Sequence, residues 1–179
     1  AKLSDIARAN VAWMLGRQTL ADVAVWADEY RAAHPETAPW HFVNMPSDAV
    51  RYDRDRDCPR TVVRGREGGR VPTTWRDCVV DRIREQQARV ADLSLGRAAR
   101  AKALRFLVHL VADLHQPFHT IGLSRGGNEI AVQWFGSPTC SGDGSRGPCT
   151  LHAVWDTAII ARARLSDRRY AQSLLPQSE

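Results

Sequence analysis

Two histidine–aspartate pairs with the same four-residue spacing mark the part of this sequence that could do chemistry. His109 and Asp113 lie in the apolar stretch of residues 104–114, and His152 and Asp156 repeat the spacing downstream. Residues four apart project from one face of a helix, one turn apart. A buried imidazole or carboxylate needs partners, because removing a lone charge from water is costly. A single pair is compatible with a hydrogen-bonded pair in a core, but the recurrence favours a shared site.

Seven polar side chains stand where apolar residues are expected, and all of them are imidazoles or carboxylates: Asp28, His41, His109, Asp113, His119, His152 and Asp156. Imidazole nitrogen with carboxylate oxygen, without thiolate, suits catalytic zinc better than manganese or iron. Seven ligands are too many for one tetrahedral ion and about right for two. The H-E-x-x-H motif of the commonest zinc proteases is absent from the sequence.

The apolar periodicity predicts helices that bring these side chains together. Predicted helices cover residues 5–15 after Ser4, 20–33 after Thr19, 75–93 after Thr74, a central helix that ends before Pro117, and 151–165. Residues 40–46 are predicted to be extended, residues 47–72 to form a long surface loop, and residues 129–135 to form part of a hairpin. The sequence therefore predicts a mainly α, single-domain helical bundle with a small β-hairpin excursion.

Composition sets limits on the class of protein. A chain of 179 residues fits one domain with a substantial core. No apolar run reaches the 18 or so residues of a membrane span, and nothing at the N-terminus resembles a signal peptide. The net charge of +5 comes almost wholly from arginine. It suits a polyanionic substrate, but arginine richness more often reflects genomic base composition, so charge alone identifies no partner.

Four cysteines are present, and none has the C-x-x-C spacing of a zinc or redox motif. Cys140 and Cys149 bracket a Gly/Ser/Pro loop, and Cys58 and Cys78 flank a Gly/Arg loop. We interpret them as two disulfides, which implies an oxidising compartment and hence a secreted or periplasmic protein. Four free thiols in a cytosolic protein is the alternative.

Several motifs, in order and with matching spacing, resemble one known family. The segments VWADEYR, WHFVNMP, HLVADLHQPFH, GGNEIAV and LHAVWD are similar to those of the S1/P1-type zinc-dependent nucleases that cut single-stranded DNA and RNA. The resemblance runs from about residue 3 to residue 161, and zinc phospholipase C is a distant relative. It implies an almost all-helical, phospholipase C/P1 nuclease-like fold with a zinc cluster at the bottom of a cleft.

The resemblance assigns the metal ligands to separate ions. Asp28, His41, His109 and Asp113 would hold one zinc, and a second, more exposed zinc would take three others, His119, His152 and Asp156. Asp113 would also bridge to a third zinc, which in the family is held by an N-terminal Trp and a nearby His. The first ten residues here contain neither. We therefore expect residues 1–179 to form a single nuclease domain that lacks the family's extreme N-terminal segment and C-terminal helices. This sequence supports two zinc sites, whereas the family resemblance implies three.

The resemblance also implies substrate contacts. Phe42 would stack on a base, Asn44 would hydrogen-bond to the base edge, and Asn128 would lie at the cleft. Arg31 would contact the phosphate, and Asp48 would orient the attacking water, so that Arg31, Asp48 and Asp113 are the expected catalytic residues. Stacking next to a metal ligand is the sequence-tolerant contact that single-strand enzymes use. The alternatives are a core aromatic at Phe42 and a surface ion pair between Arg31 and Asp28.

The expected activity is zinc-dependent endonucleolytic hydrolysis of single-stranded DNA and RNA to 5′-phosphate products, with 3′-nucleotidase activity on 3′-nucleotides. We expect a monomer. One alternative is a phospholipase C-like zinc phosphodiesterase, which would need a choline-binding aromatic cage. A second is a non-catalytic, metal-stabilised helical fragment.

Overall fold

The structure is a computed structural model that describes residues 3–60, 62–64, 70–72, 75–140 and 147–175. In these ranges it contains α1 (Asp5–Leu15), α2 (Trp26–Ala33), α3 (Arg54–Asp57), α4 (Val79–Ala91), α5 (Arg97–Leu114), α6 (Leu151–Ala153), α7 (Ile159–Arg162) and α8 (Asp167–Ser173). Short 3₁₀ helices cover Pro35–His41 and Pro117–His119, and a π-helical turn, Val154–Ala158, joins α6 to α7. Strands β1 (Val62–Arg64) and β2 (Arg70–Pro72) pair antiparallel.

Helix α5 is the element around which the others pack. Its Phe106 and Leu110 are buried against Val79 and Ile83 of α4. Its Ala101 and Leu104 form a second cluster with Met14 and Leu15 of α1 and with Val23. Because α5 is covered by neighbours on several sides, its sequence is apolar around most of its circumference. The mainly α prediction is confirmed.

The first predicted helix is confirmed, including its caps. The Ser4 hydroxyl accepts a hydrogen bond from the Ala7 N–H at 3.3 Å, as an N-cap does. Gly16 ends the helix with φ +66°, a conformation that side-chain-bearing residues rarely adopt.

The second predicted helix begins later than expected. Residues 20–25 form turns, and α2 starts at Trp26. The Ala24 carbonyl explains the delay, because it accepts a hydrogen bond from His109 Nδ1 at 2.7 Å. In a continuous helix that carbonyl would accept from the backbone of Asp28, whose N–H instead bonds to Val25 O at 3.1 Å.

The predicted hairpin at residues 129–135 is wrong. Only isolated bridges occur there, Ala131 with Thr150 and Trp134 with Ser137. Two backbone hydrogen bonds, Val132 N–H to Cys149 O and Leu151 N–H to Ile130 O, flank the first bridge. The two-stranded sheet, together with α3, lies instead in the segment predicted to be a loop. The Asp53 carboxylate caps α3 by accepting from the N–H groups of Asp55 and Arg56, a short-range signal hidden in a highly charged stretch.

Three other boundaries differ from the prediction. Residues 35–41 are helical, so the extended segment begins only at Phe42. Helix α4 begins at Val79, and the predicted cap Thr74 lies outside the described residues. Helix α8 was not predicted; it buries no residue, so it lacks the apolar periodicity on which the prediction depends.

Both predicted disulfides are present, Cys58–Cys78 and Cys140–Cys149, and all four cysteines are buried. Among the described residues no helix is long and apolar enough to cross a membrane.

Candidate metal centre and cleft

Four of the seven predicted ligands converge between α2, the first 3₁₀ helix and α5. We call Asp28, His41, His109 and Asp113 the inner cluster. His41 Nδ1 lies 3.1 Å from His109 Nε2 and 2.9 Å from Asp113 Oδ2. His109 Nε2 lies 3.0 Å from the same Asp113 oxygen, and each imidazole lies 3.6 Å from a carboxylate oxygen of Asp28.

These separations fit a tetrahedral zinc site. Zinc bonds of 2.0–2.2 Å place neighbouring ligand atoms about 3.3–3.6 Å apart on the edges of a tetrahedron. The five separations given above are 2.9–3.6 Å, a range that overlaps these edges and extends slightly below them. The donor atoms are nitrogen and oxygen only, a set that suits catalytic zinc. The residues present therefore fit the group that the sequence predicts.

The Ala24 carbonyl determines which His109 nitrogen faces the cluster. A carbonyl oxygen only accepts, so Nδ1 carries the hydrogen in the 2.7 Å bond to Ala24 O. In the neutral imidazole, Nε2 is then the unprotonated nitrogen, free to bind a metal ion on the side of Asp28 and Asp113. Such a backbone partner on the far nitrogen is the usual way in which proteins orient a metal-binding imidazole.

The other three predicted ligands form an outer cluster of His119, His152 and Asp156. His119 Nε2 lies 3.4 Å from Asp156 Oδ1, and His152 Nε2 lies 3.0 Å from Asp156 Oδ2. The two imidazole rings stack with their centroids 5.1 Å apart. Gln116 donates from Nε2 to Asp156 Oδ1 at 2.7 Å, which fixes the carboxylate.

The turn at Gly126 orients His152, as Ala24 orients His109. His152 Nδ1 donates to Gly126 O at 2.7 Å, so Nε2 faces Asp156. Gly126 has φ +62°, and a Cβ there would lie 2.5 Å from the Phe118 carbonyl oxygen. Glycine is therefore required by both the conformation and the close approach.

Asp113 joins the two clusters. Its Oδ2 faces His41 and His109, whereas its Oδ1 lies 3.3 Å from the buried Nδ1 of His119. That nitrogen has no hydrogen bond among the described residues. Asp113 is thus placed between the clusters, and its two oxygens face opposite ways.

The carboxylates and imidazoles shift each other's pKa values in opposite directions. Burial alone would raise the pKa of Asp113, but its contacts with His109, His119 and His41 outweigh burial and hold that pKa well below its ordinary value. Burial would lower the pKa of His119, but Asp113 and Asp156 overcome it and raise the pKa to about 9. A carboxylate binds a metal ion in its ionised form, so the lowered pKa of Asp113 favours metal binding.

A cleft of about 390 Å³ opens over both clusters. Its lining contains His41, His119 and His152 together with four residues predicted to contact substrate: Arg31, Phe42, Asn44 and Asn128. Residues 42–44 are extended, so His41 and Val43 are buried while Phe42 and Asn44 are exposed. Phe42 is 38% exposed, which favours the substrate-facing alternative over a core aromatic.

The sequence left two roles open for Arg31, a contact with the substrate phosphate and an ion pair with Asp28, and its position is compatible with both. Its guanidinium lies 3.1 Å from Asp28 Oδ1, and the side chain also lines the cleft. Asp48 is different: it is exposed in the turn after Pro46 and does not line the cleft. The structure therefore offers no geometric support for its predicted role in orienting water.

Sequence reasoning missed the groups that orient the ligands. The Ala24 carbonyl carries no side-chain signal and could not have been found. Gln116 stands one residue before the helix-ending Pro117, and the Gly126-Gly127 pair was recognised only as a turn. Arg125, which lines the cleft beside Asn128, has φ +54° and gave no signal that distinguishes it from other arginines.

Fold and site together define a mainly α protein with two histidine–aspartate clusters, a candidate metal centre, at the floor of a cleft. The family model of the S1/P1 nucleases matches residues 1–177. The chain is 34% identical over 170 residues to Nuclease P1 of Penicillium citrinum, which covers 89% of this chain and 54% of that protein. It is 33% identical over 149 residues to Nuclease S1 of Aspergillus oryzae, which covers 80% of this chain and 43% of that protein. It is 29% identical over 150 residues to Endonuclease 2 of Arabidopsis thaliana, which covers 80% of this chain and 44% of that protein.

This chain belongs to the S1/P1 nuclease family. It spans about half the length of the curated relatives that it matches.

Proposed function

We propose that the chain forms the zinc-binding centre of an endonuclease that hydrolyses phosphodiester bonds in single-stranded DNA and RNA. The products would carry 5′-phosphates, and 3′-nucleotidase activity would accompany the endonuclease activity. The observation that carries this proposal is the convergence of seven donor side chains in two clusters joined by Asp113 at the floor of one cleft. Membership of the S1/P1 nuclease family supports the reaction class.

In this proposal the inner cluster holds one zinc and the outer cluster holds a second. Zinc would supply Lewis acidity, lowering the pKa of a coordinated water towards neutrality and drawing charge from phosphoryl oxygens. The donor set, its separations and the orientation of His109 and His152 by backbone carbonyls support zinc. A third zinc is expected from the family resemblance, with Asp113 as a bridging ligand.

The protein's own groups would position the substrate and balance its charge. Arg31 would donate to a phosphate oxygen, since its guanidinium lies at the cleft wall beside Asp28. Phe42 would stack on a base, and the amides of Asn44 and Asn128 would meet its edge. A duplex would be a poor substrate, because a paired base cannot enter a side pocket without unstacking.

The disulfides bear on the cellular location. Two buried disulfides support an oxidising compartment, and we propose secretion or a periplasmic location. We also propose that the protein is a monomer.

The test is a paired assay of metal and reaction with one substitution. The wild-type chain should take up at least two zinc ions and release acid-soluble nucleotides from single-stranded DNA. Asp113→Ala should lose bound zinc and reduce kcat/KM by about 10³-fold or more, because several kcal/mol of charge stabilisation is removed. Asp167→Ala, on exposed α8, is the matched control and should change neither.

The same assay separates the alternatives. Release of phosphocholine from lipid, without cleavage of DNA, would support a phospholipase C-like enzyme instead. Full nuclease activity in the Asp113→Ala protein would contradict the proposed function, and zinc uptake without any hydrolysis would favour a non-catalytic fragment.

A further inference from the structure

The first turn of α4 contacts the segment that carries the predicted base-stacking residue. The Val79 N–H, the first of this helix, donates to the Phe42 carbonyl at 3.0 Å. Val79 is fully buried and shares an apolar cluster with Val43. Phe42 lines the cleft, whereas Val79 does not. A buried helix terminus is therefore one hydrogen bond away from the wall of the cleft.

The peptide group between Phe42 and Val43 is held at both ends. Its oxygen accepts from the Val79 N–H, and its own N–H donates to the His119 carbonyl at 2.8 Å. The oxygen and the hydrogen of a trans peptide point in opposite directions, so the two partners lie on opposite sides of the chain. This peptide group is therefore held between α4 and the turn that carries His119.

A fixed peptide group determines the direction in which the Phe42 side chain projects. Along the extended segment, Val43 faces the core at 2% exposure while Phe42 projects outward at 38%. A ring whose backbone is already ordered loses less conformational freedom when a base stacks on it. The two hydrogen bonds should therefore favour base stacking without any contact of their own with the base.

The Cys58–Cys78 disulfide fixes the start of α4. Cys78 is the N-cap residue of this helix, and in the part of the chain that the structure describes its side chain makes no capping hydrogen bond. Its sulfur is instead bonded to Cys58, which follows α3, and both cysteines are buried. Because helix ends open more readily than helix centres, this bond keeps the Val79 N–H at the Phe42 carbonyl.

We propose that Val79 is a positioning residue: its N–H, held in place by the Cys58–Cys78 disulfide, orients Phe42 for stacking on a base of a single strand. Val79 belongs to neither cluster and meets no substrate, so it affects the affinity for strands and not the chemical step. This inference rests on the proposed function, because it assumes that bases enter the cleft and stack on Phe42. It adds that a helix terminus outside the cleft controls how tightly they do so.

Val79→Pro removes the N–H at the first helical position, where proline is favoured. Cys78 already has the extended backbone that a following proline requires, with φ −154° and ψ 157°. The ring carbon takes the place of the hydrogen, so the Phe42 carbonyl must move. KM for an oligothymidylate of about 30 nucleotides should rise about fivefold or more, which is about what one hydrogen bond contributes. The turnover number kcat and the zinc content should not change.

Val79→Ala is the matched control, because it shortens the same buried side chain and keeps the N–H. Its KM should stay within about twofold of the wild type. Equal increases in KM for the two variants would overturn the proposal, since they would reflect lost packing alone. Loss of zinc from the Val79→Pro protein would also overturn it, since the bond would then support the metal centre and not Phe42.

Strands without bases separate stacking from charge. Fluorescence anisotropy of labelled phosphorothioate strands measures binding without turnover. Val79→Pro should weaken binding of oligothymidylate about fivefold and change binding of an abasic strand of the same length by less than about twofold. The slope of log affinity against log salt concentration should not change, because no phosphate contact is lost. Equal weakening of both strands would overturn the proposal.

Removal of the disulfide reaches the same bond without a proline. Cys58→Ala/Cys78→Ala keeps the Val79 N–H but frees the start of α4, so KM should rise about threefold with bound zinc retained. Thermal melts check that this variant and Val79→Pro are folded. Unchanged KM in the disulfide variant and in Val79→Pro would overturn the proposal.

A double-mutant cycle tests whether Val79 acts through Phe42. Phe42→Ala should weaken binding of oligothymidylate, and Val79→Pro should add less than about twofold in that background, because residues that act together are not additive. Additive losses, in a wild type that binds and hydrolyses single strands, would overturn this inference and leave the proposed function intact. A wild-type chain that binds no single strand would contradict both.

Discussion

The inner and outer clusters use the same residue types but belong to different kinds of structure. The inner cluster lies on α2, α5 and the end of a 3₁₀ helix, and its His41 and His109 are 2% and 7% exposed. The outer cluster lies on a 3₁₀ turn and on the junction of α6 with a π-helical turn, and its His119 and His152 are only partly buried. Each cluster has one exposed carboxylate, Asp28 or Asp156. The inner imidazoles are therefore fixed by core packing, whereas the outer imidazoles depend on loops and local hydrogen bonds.

This difference predicts unequal stability of the two sites. Packing of α5 against α1, α2 and α4 arranges the inner donors as the protein folds. The outer donors are held instead by local contacts, among them the Gln116 side chain, the Gly126 turn and the Cys140–Cys149 disulfide. Local elements with few buried contacts open more readily than the core. The outer ion should leave first when a chelator is added.

The largest expected effect comes from removing one histidine of each cluster. Both His109→Ala and His152→Ala should lower kcat/KM by about 10³-fold or more. His109→Ala should also lower Tm and release both zinc ions, because its imidazole is buried beside Asp113. His152→Ala should retain the inner ion and most of the thermal stability. Zinc content and calorimetry of each variant make the measurement.

His115→Ala is the control for both substitutions. His115 follows α5 and is exposed, with Nδ1 bonded to the Val111 carbonyl, and it belongs to neither cluster. Its replacement should change neither zinc content nor activity. Equal zinc loss from the His109 and His152 variants would contradict the ranking of the two sites.

An intermediate effect is expected from the group that orients the outer carboxylate. Gln116→Ala removes the 2.7 Å hydrogen bond to Asp156 and should weaken the outer zinc about 10–100-fold, as loss of such supporting bonds does elsewhere. Competition with a chelator of known affinity measures the change. Gln133→Ala, an exposed glutamine, should have no effect; weakening of the inner ion by Gln116→Ala would show that the clusters are not separable.

The smallest effect is expected from Asp81, a buried carboxylate outside both clusters that stabilises the fold. Burial would raise the pKa of Asp81, but hydrogen bonds from Arg54 and the Arg76 backbone lower it below the ordinary value. Because the folded pKa lies below the unfolded value of about 3.9, Asp81 stabilises the protein above that pH, and the contribution is lost as pH falls through the folded pKa.

Asp81→Asn should therefore lower stability at pH 7 by about 1 kcal/mol, a shift in Tm of about 2–4 °C, with a smaller difference from wild type at pH 3. Thermal melts at both pH values provide the measurement. Asp5→Asn, exposed in the first turn of α1, is the control. A difference that grows on acidification would contradict the assigned direction.

The candidate ligands could be predicted from the sequence because their residue types are unusual for their positions. A charged or imidazole side chain on an apolar face requires a partner wherever it occurs, so His109 and Asp113 could be singled out without coordinates. The inner and outer grouping and the cleft residues came from the family resemblance, and the structure brings Arg31, Phe42, Asn44 and Asn128 to one cleft. Asp48 does not share that cleft.

The sequence could not reveal what depends on backbone groups or long-range pairing. The Ala24 carbonyl accepts a hydrogen bond from His109 just before α2 begins. Any residue at position 24 would have this carbonyl, so the side-chain sequence cannot predict the bond. The pairing of residues 42–46 with 119–122, through the hydrogen bonds of Val43 and Met45, links the two clusters across the chain. Strands β1 and β2 were missed because a charged, glycine-rich stretch lacks period-two alternation.

The central claim is that two metal ions, and not hydrogen bonds alone, bring these side chains together. Diffraction data collected at the zinc absorption edge from crystals of the zinc-equilibrated chain test it most directly. We predict one anomalous peak among Asp28, His41, His109 and Asp113, and another among His119, His152 and Asp156. Ordered side chains in both clusters with no anomalous peak at either would contradict the account.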